Sequence, residues 1–391
     1  MRVLSFTTVF PNAVMPQHGL FVLERLRHCA SHAEIQVVAP RPFYPWPAMQ
    51  AVPREERYGP LQVLHPTFRY IPRVLKSLDG FFLYASALPT LRRLAPGHPF
   101  DLIDAHFGYP DGFAAVLLGR RFGRPVVLTL RGNEPGLAQS DPGRRRAMRF
   151  ALRRAARIIT VSEPLAAFAR DMLAGAPGPV PPVTVIANGV DLSRFVPAPQ
   201  GEARRALGLP EGRRVLVSVG HLSPRKGFQR VLRVLPDLLG AVPDLMFVIV
   251  GGAGAERNNE AELRRQAAPF GDRVLFAGTQ PPERVATWLQ AADLFVLASD
   301  YEGCPNVVWE AQACGVPVVA TKVGEVERMV PGHAGYLVDE PEDAPALLAA
   351  LTAGLTGRHD AAAIRAWAER HDWDGVALQV QKEWAAAVRG G

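Results

Sequence analysis

The chain has 391 residues, of which 48% are hydrophobic and 21% are charged, and these values exclude a disordered chain and a collagen-like fibre. No apolar run reaches the roughly 18 residues of a membrane-spanning helix, and Met1 leads directly into a strand-like run, so we expect a cytoplasmic protein without a signal peptide. Residues 1–196 contain 24 Lys and Arg against 13 Asp and Glu, whereas residues 197–391 contain 20 against 24, so an anionic partner is expected for the first half alone.

Short runs rich in Val, Ile and Leu alternate with longer amphipathic segments along almost the whole chain. In the first half, strands are predicted at 2–7, 34–39, 101–105, 125–130, 157–161 and 183–186. In the second half, they are predicted at 214–219, 245–250, 273–276, 293–297, 316–320 and 335–338. Helices are predicted between them, including 226–239, 259–268, 282–292 and 306–314, and a helical tail is predicted over 365–388.

Continuous apolar strands that alternate with helices indicate parallel sheets covered on both faces, and two such series predict an α/β protein with two doubly wound, Rossmann-like domains. We predict one domain over 1–192, a second over 193–372, and a C-terminal helix over 373–391 that packs back toward the first domain. Ligands of such sheets bind beyond the carboxyl ends of the strands, so a cleft between two facing domains is the expected site.

A cluster of arginines lies among apolar residues near the middle of the first half, and it predicts a basic amphipathic helix. Such a helix is typical of contact with an anionic membrane surface, and we expect the protein to be peripheral on the inner face of the cell membrane. The alternative is a solvated helix face. Nucleic-acid binding is not expected, because no aromatic platform accompanies the charges. The cluster consists of Arg144, Arg145, Arg146, Arg149, Arg153, Arg154 and Arg157.

The strongest candidate site is the segment 302–310, which follows the strand predicted at 293–297. Pro305 favours a helix start, so Glu302 is expected on the loop and Glu310 inside the helix. The first N–H groups of that helix would form a seat for a diphosphate, and each carboxylate can accept bonds from sugar hydroxyls. The alternative is one loop acid and one acid that stabilises the helix dipole.

Two further loops follow predicted strands. Arg225 and Lys226 lie in the loop 220–227, where adjacent cations are well placed for phosphate; the alternative is ordinary helix capping with solvated charges. Gly19 lies in the loop after the first strand, where it allows a close backbone approach to a ligand, or forms only a turn.

These motifs resemble the retaining glycosyltransferases of family 4, the group 1 type, with the GT-B fold. Glu302 and Glu310 match the family's pair of glutamates separated by seven residues, and 220–227 matches its glycine–loop–Lys-Gly element. The likeness extends over nearly the whole chain and also includes the segments 160–163, 186–191, 248–252 and 310–319.

The resemblance implies specific roles. Glu302 would hold the hydroxyls of the donor sugar, Glu310 the ribose, and Lys226 the diphosphate with help from Arg225. Gly19 would lie under the diphosphate, and the nucleobase of the donor would lie near Gly278. The segment after Glu302 would contribute further donor contacts from Gly303, Cys304, Pro305, Asn306 and Val307.

Two positions depart from the family pattern. Many relatives have a histidine where this chain has Arg131, which could bond a sugar hydroxyl or an acceptor phosphate but cannot titrate near neutrality. His106 is then the other histidine expected to face the acceptor. His221 replaces an arginine beside the phosphates. We therefore take Glu302, Lys226, Arg131 and His106 as the candidate catalytic residues.

The resemblance implies a retaining hexosyltransferase that uses a UDP- or GDP-sugar and a glycan or lipid-linked acceptor, in polysaccharide or glycolipid biosynthesis. The nucleotide-sugar would be a substrate, and neither a cofactor nor a metal is expected. The alternatives are a catalytically silent sugar- or lipid-binding subunit, motivated by Arg131 and His221, and an epimerase or phosphorylase on the same fold.

Overall fold

The computed structural model describes residues 1–43, 50–71, 74–175, 178–254 and 258–390. The chain forms two compact units. The first consists of Met1–Asn188 together with Trp373–Gly391, and the second of Gly189–Asp372. The terminal segment 373–391 therefore belongs to the first unit, although the whole second unit precedes it in sequence.

The first unit is built on parallel strands that alternate with helices. Its described strands are β1 (Arg2–Phe6), β2 (Glu34–Val38), β3 (Arg41–Pro42), β4 (Glu55–Tyr58), β5 (Leu61–Leu64), β6 (Thr67–Phe68), β7 (Leu102–His106), β8 (Val126–Leu130), β9 (Arg157–Thr160) and β10 (Val183–Val185). Its described helices are α1 (Leu20–Cys29), α2 (Asp79–Leu94), α3 (Phe113–Phe122), α4 (Glu134–Ser140), α5 (Pro142–Arg154), α6 (Glu163–Leu173) and α15 (Trp373–Arg389).

Among the described residues, the main sheet of the first unit has the order β10-β9-β8-β7-β1-β2-β5-β4, and β3 pairs with β6 separately. All neighbours in the main sheet are parallel except β4 and β5. The strand order reverses between β1 and β7, and the loops that follow these two strands flank this switch point. Ligands of open α/β sheets bind at such a point.

Two apolar layers cover the sheet of the first unit. One contains α2, α3 and α5, with Leu83, Leu118 and Leu152 buried against the strands. The other contains α1 and α15, with Leu26 and Trp384 fully buried. Because each buried side chain of this size contributes roughly 1.5–3 kcal/mol, α15 is an integral part of this core.

The second unit is a regular doubly wound domain. Its described strands are β11 (Arg214–Val219), β12 (Leu245–Val250), β13 (Val274–Gly278), β14 (Leu294–Leu297), β15 (Val318–Thr321) and β16 (Gly335–Val338). Its described helices are α7 (Gln200–Ala206), α8 (Phe228–Ala241), α9 (Glu260–Ala267), α10 (Pro282–Ala291), α11 (Asn306–Ala313), α12 (Val326–Met329), α13 (Ala344–Thr356) and α14 (Ala361–Ala368).

The strands of the second unit are all parallel, in the order β13-β12-β11-β14-β15-β16. Its switch point lies between β11 and β14. The loop after β11 carries Arg225 and Lys226, and the loop after β14 carries Glu302. The topology alone therefore brings these residues to one edge of the sheet.

Each of the twelve predicted strands overlaps a strand of the structure, and three of them, β11, β12 and β16, have the predicted bounds. The four short strands β3 to β6 were not predicted. Two helix predictions are wrong. The tail predicted over 365–388 is interrupted by a 3-10 turn, Glu369–His371, and by extended Asp372. The helix predicted over 226–239 begins at Phe228, because Lys226 lies in the 3-10 turn Pro224–Lys226 and Gly227 is left-handed.

Candidate functional site

Gly227 sets the position of the loop after β11. Its φ is +72°, and a Cβ atom there would lie 1.8 Å from the carbonyl oxygen of Ala298, directly after β14. Only glycine fits this close approach at a left-handed backbone position. The loop that carries Lys226 is thereby packed against the loop that carries Glu302.

Glu302 is the centre of a group of polar contacts at this edge. Its Oε1 atom accepts hydrogen bonds from Lys226 Nζ at 2.7 Å and from Ser299 Oγ at 2.8 Å. Arg225 Nη1 lies 3.3 Å from the same oxygen and also donates to the carbonyl oxygen of Tyr301 at 2.6 Å. The side chain of Glu302 is 9% exposed, so a carboxylate is held almost dry against two cations.

The charge state of Glu302 follows from this environment. Burial alone would raise its pKa, but the charges of Lys226 and Arg225 outweigh burial and hold the pKa below its usual range. Glu302 is therefore an anion at neutral pH, and it accepts hydrogen bonds at fixed positions.

Residues that follow β15 and a side chain of α8 also hold the loop around Glu302. Gly324 has a φ of +59°, and a Cβ atom there would lie 2.3 Å from the carbonyl oxygen of Glu302. The backbone N–H of Glu325 donates to the carbonyl oxygen of Gly303 at 3.0 Å. Buried Arg230 donates to the carbonyl oxygen of Ala298 at 2.7 Å. The backbone at Glu302 is therefore fixed by neighbours on both sides.

The helix α11 begins at Asn306, directly after Pro305. Asn306, Val307 and Glu310 lie on its partly exposed face, whereas Val308 and Trp309 are buried. Because the first N–H groups of a helix have no partner within it, this end suits an anion. The expectation that Glu302 lies on the loop and Glu310 in the helix is confirmed.

The remaining predicted donor residues of the second unit have different surroundings. Gly303 is partly exposed, but the thiol of Cys304 is buried and lies 4.0 Å from Met329 Sδ, so this side chain faces the interior. His221 is exposed, in the loop after β11. Gly278 has a φ of +70°, ends β13, and accepts a hydrogen bond from the N–H of Gly251.

Gly19 lies in the first unit, directly before α1. Its φ is +77°, and a Cβ atom there would lie 2.5 Å from the carbonyl oxygen of Val9, so the loop after β1 also requires glycine. The same loop is held by Asp111, whose carboxylate accepts from the N–H and from the Oγ1 hydroxyl of Thr8. Burial raises the pKa of Asp111 to about 7.

His106 and Arg131 form a buried network at the carboxyl ends of β7 and β8. Arg131 donates to His106 Nδ1 at 3.0 Å and to Asn188 Oδ1 at 2.9 Å. Since Nδ1 accepts from an arginine, the proton of the neutral imidazole is assigned to Nε2, which faces Asp104 Oδ2 at 3.2 Å. Asp104 also accepts from Trp384 Nε1 of α15 at 3.1 Å.

Electrostatics keep this network in one protonation state. Burial lowers the pKa of His106 to about 4, partly opposed by Asp104, so the imidazole is neutral at physiological pH. Burial alone would raise the pKa of Asp104, but His106 and Arg25 outweigh it and lower this pKa. Arg25 Nη2 lies 3.8 Å from Asp104 Oδ1. Asp104 therefore faces Arg25 directly and is linked to Arg131 through a neutral histidine.

The burial of His106 and Arg131 bears on what the sequence analysis expected of these two side chains. His106 is 0% exposed and contacts Arg131, so its imidazole is not open to an acceptor as the sequence analysis expected. Arg131 is 8% exposed and bound to His106 and Asn188, and its bond to a sugar hydroxyl or an acceptor phosphate stays a prediction. Its backbone N–H donates to Glu134 Oε1 at 3.1 Å.

Sequence reasoning missed several residues that organise these loops. Glu134 is fully buried and accepts N–H bonds from Gly108, Arg131 and Gly132, which ties the loop after β7 to the loop after β8. Its position as an acid in the first turn of α4 was a usable signal. Ser299 and Asp104 carried no sequence signal, because one is a single serine and the other lies inside a buried strand.

Within the described ranges, no group of His, Cys, Asp and Glu side chains is arranged to hold a metal ion. In the same part of the chain, no helix is long and apolar enough to cross a bilayer.

Two family models match the chain side by side. The model described as glycosyl transferases group 1 matches residues 199–371. The model described as Glycosyltransferase Family 4 matches residues 19–194. Together they cover most of both compact units and include all the candidate site residues predicted from the sequence.

Individual proteins give the same result. The chain is 31% identical over 369 residues to TuaC of Bacillus subtilis (strain 168), a glycosyltransferase named for teichuronic acid biosynthesis, and the match covers 90% of this chain and 88% of TuaC. It is 30% identical over 295 residues to the GDP-mannose-dependent alpha-(1-6)-phosphatidylinositol monomannoside mannosyltransferase of Mycolicibacterium smegmatis, covering 72% of each.

A solved structure of Anabaena Alr3699/HepE in complex with UDP superposes with a TM-score of 0.73 at 21% identity, covering 99% of this chain and 100% of that one. This likeness shows a shared fold, as the two parallel sheets already indicate. The chain belongs to the group 1 glycosyltransferases of family 4, which have the GT-B fold.

Proposed function

We propose that this glycosyltransferase is a retaining hexosyltransferase, which moves a sugar from a UDP- or GDP-sugar to a glycan or lipid-linked acceptor. The observation that carries the proposal is the shared contact of Lys226 and Ser299 with one oxygen of Glu302, at the switch point of the second unit. At that position a cation can bind phosphate, and a carboxylate can accept hydrogen bonds from hydroxyl groups, so the pair suits a phosphate ester of a sugar.

Binding of the donor would change the hydrogen-bond partners of Lys226 and Glu302. Lys226 would move from Glu302 to the diphosphate, assisted by Arg225, and Glu302 would accept bonds from the sugar hydroxyls. The start of α11 would add N–H donors, and Glu310 would accept from the ribose. Lys226 would exchange one anionic partner for another, and Glu302 would exchange one hydrogen-bond donor for others.

The reaction would proceed on one face of the sugar. The acceptor hydroxyl oxygen would bond to the anomeric carbon as the bond from that carbon to the diphosphate oxygen breaks. The leaving phosphate would take the hydroxyl proton, and Lys226 would stabilise the negative charge that develops on it. Retention of configuration follows when the acceptor enters from the side on which the nucleotide leaves.

The names of the relatives support the donor and acceptor classes. The mycobacterial relative is named for GDP-mannose and phosphatidylinositol monomannoside, TuaC for teichuronic acid biosynthesis, and the HepE structure contains UDP. The basic first half of this chain suits an acceptor or surface that carries negative charge.

The test is transfer from labelled UDP-glucose and GDP-mannose to lipid extracts and to oligosaccharides, with the anomeric configuration of the product read by NMR. The matched control for Glu302→Ala is Asp339→Asn, a 77% exposed carboxylate. We expect transfer by the wild type and the control, and loss of transfer in Glu302→Ala. Donor binding without transfer to any acceptor would favour the silent subunit, and conversion of the donor without an acceptor would favour an epimerase.

A further inference from the structure

Arg230 is a buried arginine on α8, in the second unit. Its side chain is only 5% exposed, and each of its three guanidinium nitrogens has a partner. Nη1 donates to the carbonyl oxygen of Ala298 at 2.7 Å, Nη2 donates to the carboxylate of Asp300, and Nε donates to Glu342 Oε1 at 2.8 Å. Ala298 and Asp300 belong to the loop after β14, shortly before Glu302. An arginine is buried only where it is paired, and here the pairing is with this loop.

Gly227 leaves room for the guanidinium. A Cβ atom at Gly227 would lie 2.7 Å from Arg230 Nη1, as well as 1.8 Å from the carbonyl oxygen of Ala298. The glycine that lets the two loops of the candidate site touch therefore also lets Arg230 reach the same carbonyl group. Arg230 donates to an oxygen that the packing of the two loops already brings close.

Asp300 connects Arg230 to the loop 220–227. Its carboxylate accepts from Arg230, while its backbone N–H donates to the carbonyl oxygen of Arg225 at 2.8 Å. One residue is thus held from α8 through its side chain and from the loop 220–227 through its backbone. The position of Asp300 therefore sets how the loop that carries Glu302 lies against the loop that carries Lys226.

The charges around Arg230 balance one another. Arg230 faces Asp300 and Glu342, and Arg233 Nη1 lies 2.9 Å from Glu342 Oε2. Two cations and two anions therefore cancel, and the network adds no net charge beside the two cations of the loop 220–227. Without Arg230, the carboxylate of Asp300 would be uncompensated, and those two cations would be the nearest alternative partners along the bonded backbone.

We propose that Arg230 is a positioning residue of the donor site, which fixes the loop after β14 and keeps the carboxylate of Asp300 away from the diphosphate. The inference rests on the proposed function, because that function assigns the diphosphate to Arg225 and Lys226. Loss of Arg230 would release the carbonyl oxygen of Ala298 and so loosen the loop. It would also leave the carboxylate of Asp300 to compete with the diphosphate for the two cations.

The test is calorimetric titration of UDP and GDP into the full chain of the wild type, Arg230→Met, Arg230→Lys and Arg233→Met. Arg230→Met should bind the nucleotide of the wild type roughly tenfold more weakly, a coupling of ordinary size. Arg230→Lys keeps a positive charge opposite Asp300 and should recover part of this loss. Arg233→Met is the matched control, because Arg233 is 54% exposed on the same helix and pairs with Glu342; it should bind like the wild type.

A second substitution at Asp300 separates positioning from general stability. Arg230→Met combined with Asp300→Asn should bind the nucleotide more tightly than Arg230→Met, because the uncompensated carboxylate is gone. Its unfolding midpoint should stay below that of the wild type, because the bond to Ala298 is still missing. If Arg230→Met does not fold, Arg230→Gln replaces it in the same comparison.

Two results would overturn the role of Arg230. One is equal nucleotide affinity of the wild type and Arg230→Met, and the other is no gain in affinity when Asp300→Asn is added to Arg230→Met. Absence of nucleotide binding to the wild type is a different result, because it would overturn the proposed donor site itself and this role with it.

Discussion

Lys226 Nζ lies 2.7 Å from Glu302 Oε1, although 76 residues separate the two along the chain. The contact depends on the strand order, which makes β11 and β14 neighbours, and on Gly227, which lets their loops touch. The ammonium group of Lys226, which is proposed to bind the diphosphate, is therefore paired with the carboxylate of Glu302, which is proposed to bind the sugar.

The stability contribution of Glu302 should depend on pH. Its folded pKa lies below the ordinary value of 4.5, so its stabilisation is complete above that pH and is lost as the pH falls through the folded value. We expect Glu302→Gln to lower the free energy of unfolding by about 1–3 kcal/mol at pH 7. Urea titrations should show this difference shrinking below pH 4.5; a constant difference would contradict the ionised pair.

Gly227→Ala should be strongly destabilising. The added Cβ meets the carbonyl oxygen of Ala298 at 1.8 Å, and the backbone is left-handed. Gly212→Ala is the matched control, because Gly212 has a similar φ of +74° with no atom within 4 Å of the Cβ position. The left-handed backbone alone should lower the free energy of unfolding of the control by about 1–2 kcal/mol, and Gly227→Ala should lower it clearly more. Equal losses in thermal or urea unfolding would show that the close approach is not required.

Because the folded chain keeps His106 neutral, this residue should lower the free energy of unfolding as the pH falls into the weakly acidic range. Its folded pKa is lowered to about 4, whereas the unfolded chain takes up the proton near 6.5. Its contribution is therefore complete above pH 6.5 and is lost progressively down to about pH 4. In His106→Gln, the urea midpoint should fall less between pH 7 and pH 5 than in the wild type or in exposed His32→Gln. Parallel curves would refute a buried neutral imidazole.

Asp104→Asn should damage the first unit severely. It leaves Arg25, which is 2% exposed, without the carboxylate that it faces at 3.8 Å, a loss that typically costs about 3–5 kcal/mol. The control is Asp272→Asn, which breaks the exposed pair with Arg213 and should leave unfolding unchanged. The denaturation midpoints of the two variants give the comparison; an Asp104→Asn midpoint equal to that of the control would contradict the network.

The strands were predictable because buried parallel strands are continuous apolar runs, as in β12. The strands β3 to β6 were missed because they are short or polar; β4, for example, has the sequence EERY. The tail predicted over 365–388 did not include the interruption at residues 369–372, although the C-terminal helix predicted over 373–391 starts where α15 starts.

The loops of the candidate site were predictable, but their contacts were not. Glu302 and Lys226 follow strands, which the apolar pattern locates, yet their pairing depends on sheet order and on one glycine. His106 likewise follows a strand. Its burial depends on a network that includes Trp384, whose partner Asp104 lies 280 residues away in sequence.

The most direct measurement is calorimetric titration of UDP and GDP into the wild type, Lys226→Met and Glu302→Gln. The wild type should bind one of the two nucleotides, and Lys226→Met should bind it roughly ten- to a hundredfold more weakly, the effect of one charged hydrogen bond. Glu302→Gln should bind it at least as tightly as the wild type, because the competing carboxylate is gone. Absence of binding to the wild type, or equal affinity of all three proteins, would contradict a diphosphate site built on Lys226 and Glu302.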